Sequence, residues 1–316
     1  MSHPITAADD HPHVPANKTE WRESYYFNFV NHDNKTSGFT TIGILPNLKK
    51  AEFVLAFFFE DKQTVYFNEK EIPTNDSTQG VLSDNTLIYR LAEPMQKWDI
   101  SFSNKNLELQ MQWKARFPPF DFGECSGTSW KGHFEQSGIM KGEARLPDGR
   151  RIPINGYGQR DKSWGPRNWH IEQWFAFHAQ FETYAIGLRR DAVKGIQHVS
   201  GGAASENKQK PASGVDVEAI YGSDPQLPIG ALTTIKYDNG EETRLSSVLV
   251  SPKSYANFSR DFPNGTTQLF EGMAIHDCLT TGEKGTGLIE YLSTYPKSQF
   301  NTKPFGERAL VKFWRS

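Results

Sequence analysis

Two cysteines in 316 residues are too few for a disulfide framework, and Cys125 and Cys278 lie too far apart for a metal-finger spacing. They read as free thiols in a reducing compartment, with a single bridge as the other option. Long apolar runs are also missing. No window approaches the roughly 18 apolar residues of a membrane helix. The opening MSHPITAADDHPHVPANKTEW has no apolar stretch of the kind a signal peptide or anchor needs. The expected location is therefore the cytoplasm, and the sequons at Asn17, Asn34, Asn75, Asn257 and Asn264 carry no meaning outside a secretory route. Charge of one sign is absent too. With 35 Lys and Arg against 37 Asp and Glu the net charge is −2, which excludes a basic footprint for nucleic acid or an anionic membrane.

The motifs of common chemistries are missing as well. There is no phosphate-binding loop, no GxGxxG after a strand, no HExxH, no GxSxG and no Cys/His zinc pattern. Gly156-Tyr157-Gly158 is a fragment of a phosphate loop without the helix that would have to follow. No cofactor and no metal are expected. A metal set of His133, Asp161 and another His would lack any fixed ligand spacing.

Aromatic residues are plentiful. They make up 13% of the chain, with 22 Phe, 11 Tyr and 8 Trp, while total hydrophobic content is only 37%. Such bulk suits strands and large apolar cavities. Short runs rich in aromatic and β-branched residues recur from Trp21 onward, among them 23–31, 38–44, 52–59, 86–91, 97–102, 107–115, 174–187, 243–250, 268–277 and 285–293. The turn signals Pro147-Asp148-Gly149-Arg150 and Asp238-Asn239-Gly240-Glu241 separate such runs. No pair of capped helices can be found. The pattern predicts an all-β chain of antiparallel hairpins. Residues 1–20 read as a flexible tail, and Pro118-Pro119 as a candidate boundary between two parts of the chain, 21–125 and 126–316. Gly201 to Gly214, poor in apolar residues, reads as a loop tip, and 300–308 as one helical turn.

The densest chemistry lies between His133 and Trp174, where histidine, carboxylates, glycine and tryptophan share strand-like sequence. Charged groups beside large aromatics suggest a cavity with apolar walls and a few acting groups. Arg160-Asp161 is either an ion pair pinning a barrel mouth or a carboxyl tuned by burial into a general acid. His133 and Glu135 share a strand face and Gln136 takes the other. His133 is either a satisfied core residue or a proton relay. Trp130, Trp164, Trp169 and Trp174 either fill cores or form a cation-tolerant wall. Glu290 faces the cavity or bridges to Arg160. His276-Asp277 looks like a catalytic pair, but adjacent strand residues point to opposite faces, and His170 and His178 read as structural.

Three segments carry a resemblance: Glu23-Ser24-Tyr25-Tyr26-Phe27-Asn28-Phe29; His133 to Gly138 with Gly156 to Trp169; and Gly285 to Tyr291. The chain resembles the calycin-like family that groups AttH-type proteins with hydroxyneurosporene synthase, the carotenoid 1,2-hydratase. It looks closest to a branch of uncharacterised bacterial members. The resemblance implies two consecutive lipocalin-like β-barrels packed together, the first over 21–125, ending near Pro118-Pro119, and the second over 126–316. It also implies cofactor-free lyase or isomerase chemistry on an isoprenoid- or polyketide-like small molecule in secondary metabolism. In such a scheme Asp161, in the Asp-x-x-Trp-Gly element, protonates an alkene, leading to hydration, dehydration or cyclisation. His133 relays protons or orients water and Trp164 stabilises cationic charge, with Arg160 as a further catalytic candidate. Trp164, Trp169, Trp174, Tyr157, Gln136 and Glu290 line the site. Lys162 departs from the usual His after the Asp, and on a strand it should point away from Asp161. Two other functions stay open: a pericyclase acting by shape and hydrogen bonds from Tyr157 or Arg160, and a non-catalytic lipid or terpenoid carrier.

Overall fold

The computed structural model describes residues 4–72, 80–123, 130–222 and 227–296, together with the backbone of 310–312. Cys125 and the expected helical turn at 300–308 fall outside these residues. Strand accounts for 70% of the residues and helix for 3%, so the chain is all-β, as its aromatic and β-branched runs require. Two compact units divide it, Met1–Arg167 and Asn168–Ser316.

The first unit holds eleven strands: β1 Trp21–Asn31, β2 Thr36–Leu45, β3 Lys50–Phe59, β4 Lys62–Glu71, β5 Val81–Ser83, β6 Leu87–Glu93, β7 Lys97–Asn104, β8 Leu107–Ala115, β9 Phe120–Asp121, β10 Gly132–Arg145 and β11 Arg151–Pro166. They form one curled antiparallel sheet in the order β4-β3-β2-β1-β11-β10-β8-β7-β6-β5, with β9 paired beside β10. The pleat decides what each face carries. In β8, Leu107, Leu109, Met111 and Trp113 are buried while Glu108, Gln110, Gln112 and Lys114 are exposed. The buried set joins Tyr25, Phe27, Phe53, Phe57 and Trp98 in a core on the sheet's inner face. The Pro-Asp-Gly turn closes β10 onto β11 as its sequence demands: Gly149 takes φ +86° and donates its N–H to the Leu146 carbonyl.

This sheet corrects the domain boundary read from the sequence. The expected division at 125/126 would assign β10 and β11 to the second barrel. Instead β11 is hydrogen-bonded between β1 and β10, and β10 to β8, so both complete the first sheet. The prolines at 118–119 interrupt the run between β8 and β9 but do not end the unit, because ladder pairing resumes after them.

The second unit contains β12 Gln173–Gln180, β13 Tyr184–Val193, β14 Ile196–Ser205, β15 Gln209–Tyr221, β16 Pro228–Tyr237, β17 Glu242–Leu249, β18 Tyr255–Phe262, β19 Gly265–Cys278, β20 Lys284–Pro296 and β21 Leu310–Lys312. Pairing of β17 with β19 closes an eight-strand barrel running β12-β13-β14-β15-β16-β17-β19-β20. Phe175, Phe177, Ile186, Leu188, Ile235, Leu245, Phe270 and Ile289 fill it. The segment 201–214, expected as a loop tip, is the end of β14 and the start of β15. Ladder bonds to β13 and between the two strands need only backbone, so small and polar residues there hide the strand from a hydropathy reading.

Inside this barrel His276 is fully buried, its Nδ1 2.8 Å from the Ser247 hydroxyl, while Asp277 turns outward to Lys284. Burial pulls the His276 imidazole from 6.5 down to about 4, against the opposing pull of the His178 carbonyl and Asp277. Between those values the unfolded chain binds a proton that the folded chain refuses. The stabilisation is present in full above pH 6.5 and is lost as pH falls towards 4. Urea unfolding at pH 7 and pH 4.5 should show a loss on the order of 3 kcal/mol in the wild type. A His276→Gln variant should lack that component of the pH dependence.

Candidate functional site

The two long strands β10 and β11 set the geometry. Their register places Glu135 opposite Asp161, His133 opposite Ser163, Gln136 opposite Arg160 and Phe134 opposite Lys162. Side chains alternate, so the motif Arg160-Asp161-Lys162 is split between two faces. Asp161 lies with His133 and Glu135 on the outer face. Arg160, Lys162 and Trp164 lie with Gln136 on the inner one.

On the outer face His133 Nε2 is 2.8 Å from Asp161 Oδ2 and 3.9 Å from Glu135 Oε1. His133 and Glu135 are buried, while the Asp161 side chain keeps 26% of its surface exposed. Asp161 is therefore the member of the group that solvent or a small molecule reaches. Phe122 and Trp130 wall the imidazole, with ring centroids 4.4 and 4.6 Å away. The Phe122 N–H donates to the His133 carbonyl, and Trp130 Nε1 donates to the Gly123 carbonyl, which fixes both rings. His133 Nδ1 is buried and has no hydrogen-bond partner among the described residues. The neutral tautomer with its proton on Nε2, directed at Asp161, leaves only an unused lone pair on Nδ1. An imidazolium would bury an unsatisfied N–H, so the neutral form fits better. Two carboxylates face each other across a strand pair with one imidazole between them. Like charges so placed repel, and a proton held in the group relieves the repulsion. The three donor atoms lie within 4.8 Å of one another and are the one such grouping among the described residues able to converge on a metal ion. Its third member is Glu135, not the second His considered for a metal set from the sequence.

On the inner face Arg160 is fully buried. Its Nη1 donates to Asp10, its Nε donates to Gln136 Oε1 at 2.9 Å, and its guanidinium lies over Trp113 and Phe134. Lys162 donates to Glu23 and sits 4.4 Å from the centre of the Tyr25 ring. Burial pushes the Glu23 carboxyl up, but Lys162 and His13 outweigh it and hold the group below its usual range. Burial likewise pulls the Lys162 ammonium down, against the pull of Glu23. Trp164 stacks on His13 at 3.9 Å, and its ring covers Gly132, where a Cβ would come within 2.2 Å of it. Arg160 and Trp164 thus point away from Asp161, and the expected Arg160–Asp161 pair does not form. Lys162 points away as the strand period demands. Tyr157 shares the outer face, and the Arg116 guanidinium covers its ring at 4.0 Å.

Trp169, Trp174 and Glu290 belong to the second unit. Trp174 Nε1 donates to Glu290, and the two indoles lie 5.9 Å apart. The Arg189 guanidinium stacks 3.8 Å from the Trp174 ring and pairs with Asp191 at 2.7 Å. Glu290 therefore anchors an indole. Sequence reasoning passed over Phe122, Asp10, His13 and the Glu23–Lys162 pair. Asp10, His13 and the Glu23–Lys162 pair carry no local signal, because each acquires its role from a partner distant in sequence.

The expected flexible tail is also ordered from residue 4. Its 3-10 turn Ala7–Asp10 buries Asp10, and His13 bonds Glu23 and Asp9. Side-chain bonds to the sheet hold a segment whose composition alone favours disorder.

A family profile described as Domain of unknown function (DUF7064) matches residues 6–294. The chain belongs to this family. Among curated proteins none matches significantly. Solved structures share the fold. One described as an AttH of Nitrosomonas europaea is 12% identical with a TM-score of 0.64, covering 88% of this chain and 94% of that one. CghA with Sch210972 is 12% identical at a TM-score of 0.60, covering 87% and 88%. Kievitone hydratase from Nectria haematococca is 10% identical at 0.62, covering 92% and 93%. The resemblance to AttH-type calycins carried by the sequence is thus found again in the fold of this DUF7064 member.

Removing one partner of a buried ion pair leaves the other charge stranded. Lys162→Met should therefore cost about 3–5 kcal/mol in denaturant unfolding. The double variant Lys162→Met/Glu23→Gln should recover much of that loss.

Proposed function

We propose that the protein is a cofactor-free enzyme of the hydratase or cyclase type, a lyase or isomerase, acting on a hydrophobic isoprenoid- or polyketide-like small molecule. The observation that carries this reading is the outer-face group His133, Glu135 and Asp161. One proton shared among two facing carboxylates and an imidazole, beside aromatic walls, is what protonation of an alkene requires. Asp161, the exposed member, delivers the proton. The Asp161 carboxylate so formed, held by the His133 Nε2–H at 2.8 Å, takes a proton back from the attacking water or from the cation, and Glu135 stands opposite it on the same face. The rings of Phe122 and Trp130 supply faces that tolerate developing positive charge. Trp164 and Arg160 take no part in this step, since they occupy the other face. That one structural neighbour is named a hydratase and another was solved with Sch210972 supports a small-molecule role within this fold.

A pericyclase needs only shape and hydrogen-bond donors, and Tyr157 on the same face offers one. A carrier would bind without chemical change. Native mass spectrometry before and after incubation with an extract of producing cells separates these. Loss of a species with gain of one 18 Da heavier or lighter marks hydration or dehydration, an isobaric product marks cyclisation, and a retained unchanged ligand marks a carrier. With the substrate in hand, Asp161→Asn should lower kcat by about 10²–10⁴-fold, and the wild-type rate should follow a titrating group. Full turnover by Asp161→Asn, or a rate flat with pH, would overturn the acid mechanism and favour the pericyclase.

A further inference from the structure

The inner face holds an arrangement that the proposed reaction does not use. Asp10 is the one buried residue in the described tail, and the residues around it are exposed or half-buried, Val14 at 91%. A polar segment thus inserts one buried carboxylate into the sheet, beside the half-buried His13 that stacks on Trp164 and bonds Glu23. That carboxylate is gripped on both oxygens: Oδ1 accepts from Arg160 Nη1, and Oδ2 accepts from the Met95 backbone N–H. The grip is built from parts fixed independently of Asp10. Gln136 Oε1 holds Arg160 Nε at 2.9 Å, and its amide donates to the carbonyls of Met95 at 3.2 Å and Phe117 at 2.9 Å. Met95 holds φ at +61°, a conformation rare for a residue with a side chain, and in it offers its N–H to the carboxylate and its carbonyl to Gln136. The surroundings are apolar: the Trp113 and Phe134 rings against the guanidinium, and Met95 Sδ 3.3 Å from Nη2. Trp98, on the same inner face and packed near Tyr25 and Phe27, buries an indole N–H with no partner among the described residues.

We propose that Arg160 and the Met95 N–H form a carboxylate-binding site which Asp10 occupies from within the chain, and that an apolar molecule bearing a carboxylate competes for it. A guanidinium beside a backbone N–H recognises a carboxylate by charge-assisted, two-point hydrogen bonding. The aromatic lining favours a carboxylate with a hydrocarbon body over a small inorganic anion. A segment held by few buried groups opens at low free-energy cost, which gives the competitor access. The site lies on the opposite face from Asp161 and does not rest on the acid chemistry proposed there. Activity of Asp161→Asn reports on one and carboxylate binding on the other.

Asp10→Ala empties the grip. Its Tm should rise saturably with acetate and, at concentrations lower by about tenfold or more, with dodecanoate, whereas sodium chloride at equal ionic strength should not reproduce the rise. Wild type, with its own carboxylate in place, should respond far less to either. An equal response to chloride, or none to any carboxylate, overturns the proposal. Should Asp10→Ala fail to fold, Asp10→Asn keeps the shape while weakening the hold on Arg160. Calorimetry should then show dodecanoate binding more tightly to Asp10→Asn than to wild type, and equal or weaker binding overturns the proposal.

Discussion

The pairing of β10 with β11 is the constraint on which the rest of the first unit depends. Their ladder runs without a break from Gly132↔Trp164 to Arg145↔Arg151. Because side chains alternate with a period of two, this one ladder distributes a single motif over two chemically opposite surfaces. A slip of one residue would exchange them, placing Arg160 and Lys162 where Asp161 now stands. Several contacts across the ladder resist such a slip. Gln136 bonds Arg160 in the directly opposed position, and Trp164 covers Gly132, where no side chain would fit.

The separation of faces also separates charges. The cations Arg160 and Lys162 are neutralised on their own side by Asp10 and Glu23. Asp161 acts on Lys162 less than Glu23 and Asp10 do. Their compensation is therefore spent inside the sheet, and the outer carboxylates Glu135 and Asp161 are left with His133 between them. In the outer trio the register opposes two carboxylates, Glu135 and Asp161, and strain of that kind concentrates at working sites. The inner pairs are satisfied and stabilising only as pairs, since each charge would be costly alone.

The second unit solves a different problem. Closure by β17 and β19 removes sheet edges and buries an aromatic core, and burial pulls the interior His276 towards its neutral form. The Trp174–Glu290 and Arg189–Asp191 contacts form a polar cluster within that unit, in which every charge meets an opposite charge, an indole N–H or a ring face.

Much was legible in the chain itself. Aromatic and β-branched runs with Pro-Asp-Gly and Asp-Asn-Gly turns specify an all-β fold, because those residues decide local backbone preference and turn type. The strand period alone placed His133 with Glu135, opposite Gln136, turned Lys162 away from Asp161, and separated His276 from Asp277. The same period was not carried through to Arg160 and Trp164, which adjacency and aromatic density tied to Asp161. What no stretch of sequence contained was the choice of partners. That β10 and β11 complete the first sheet, that Asp10 in a polar tail seats on Arg160 and that Glu23 meets Lys162 were decided by long-range strand pairing. Such contacts join residues up to 150 positions apart. Local composition sets the elements, and only register and burial decide which charges end up facing one another.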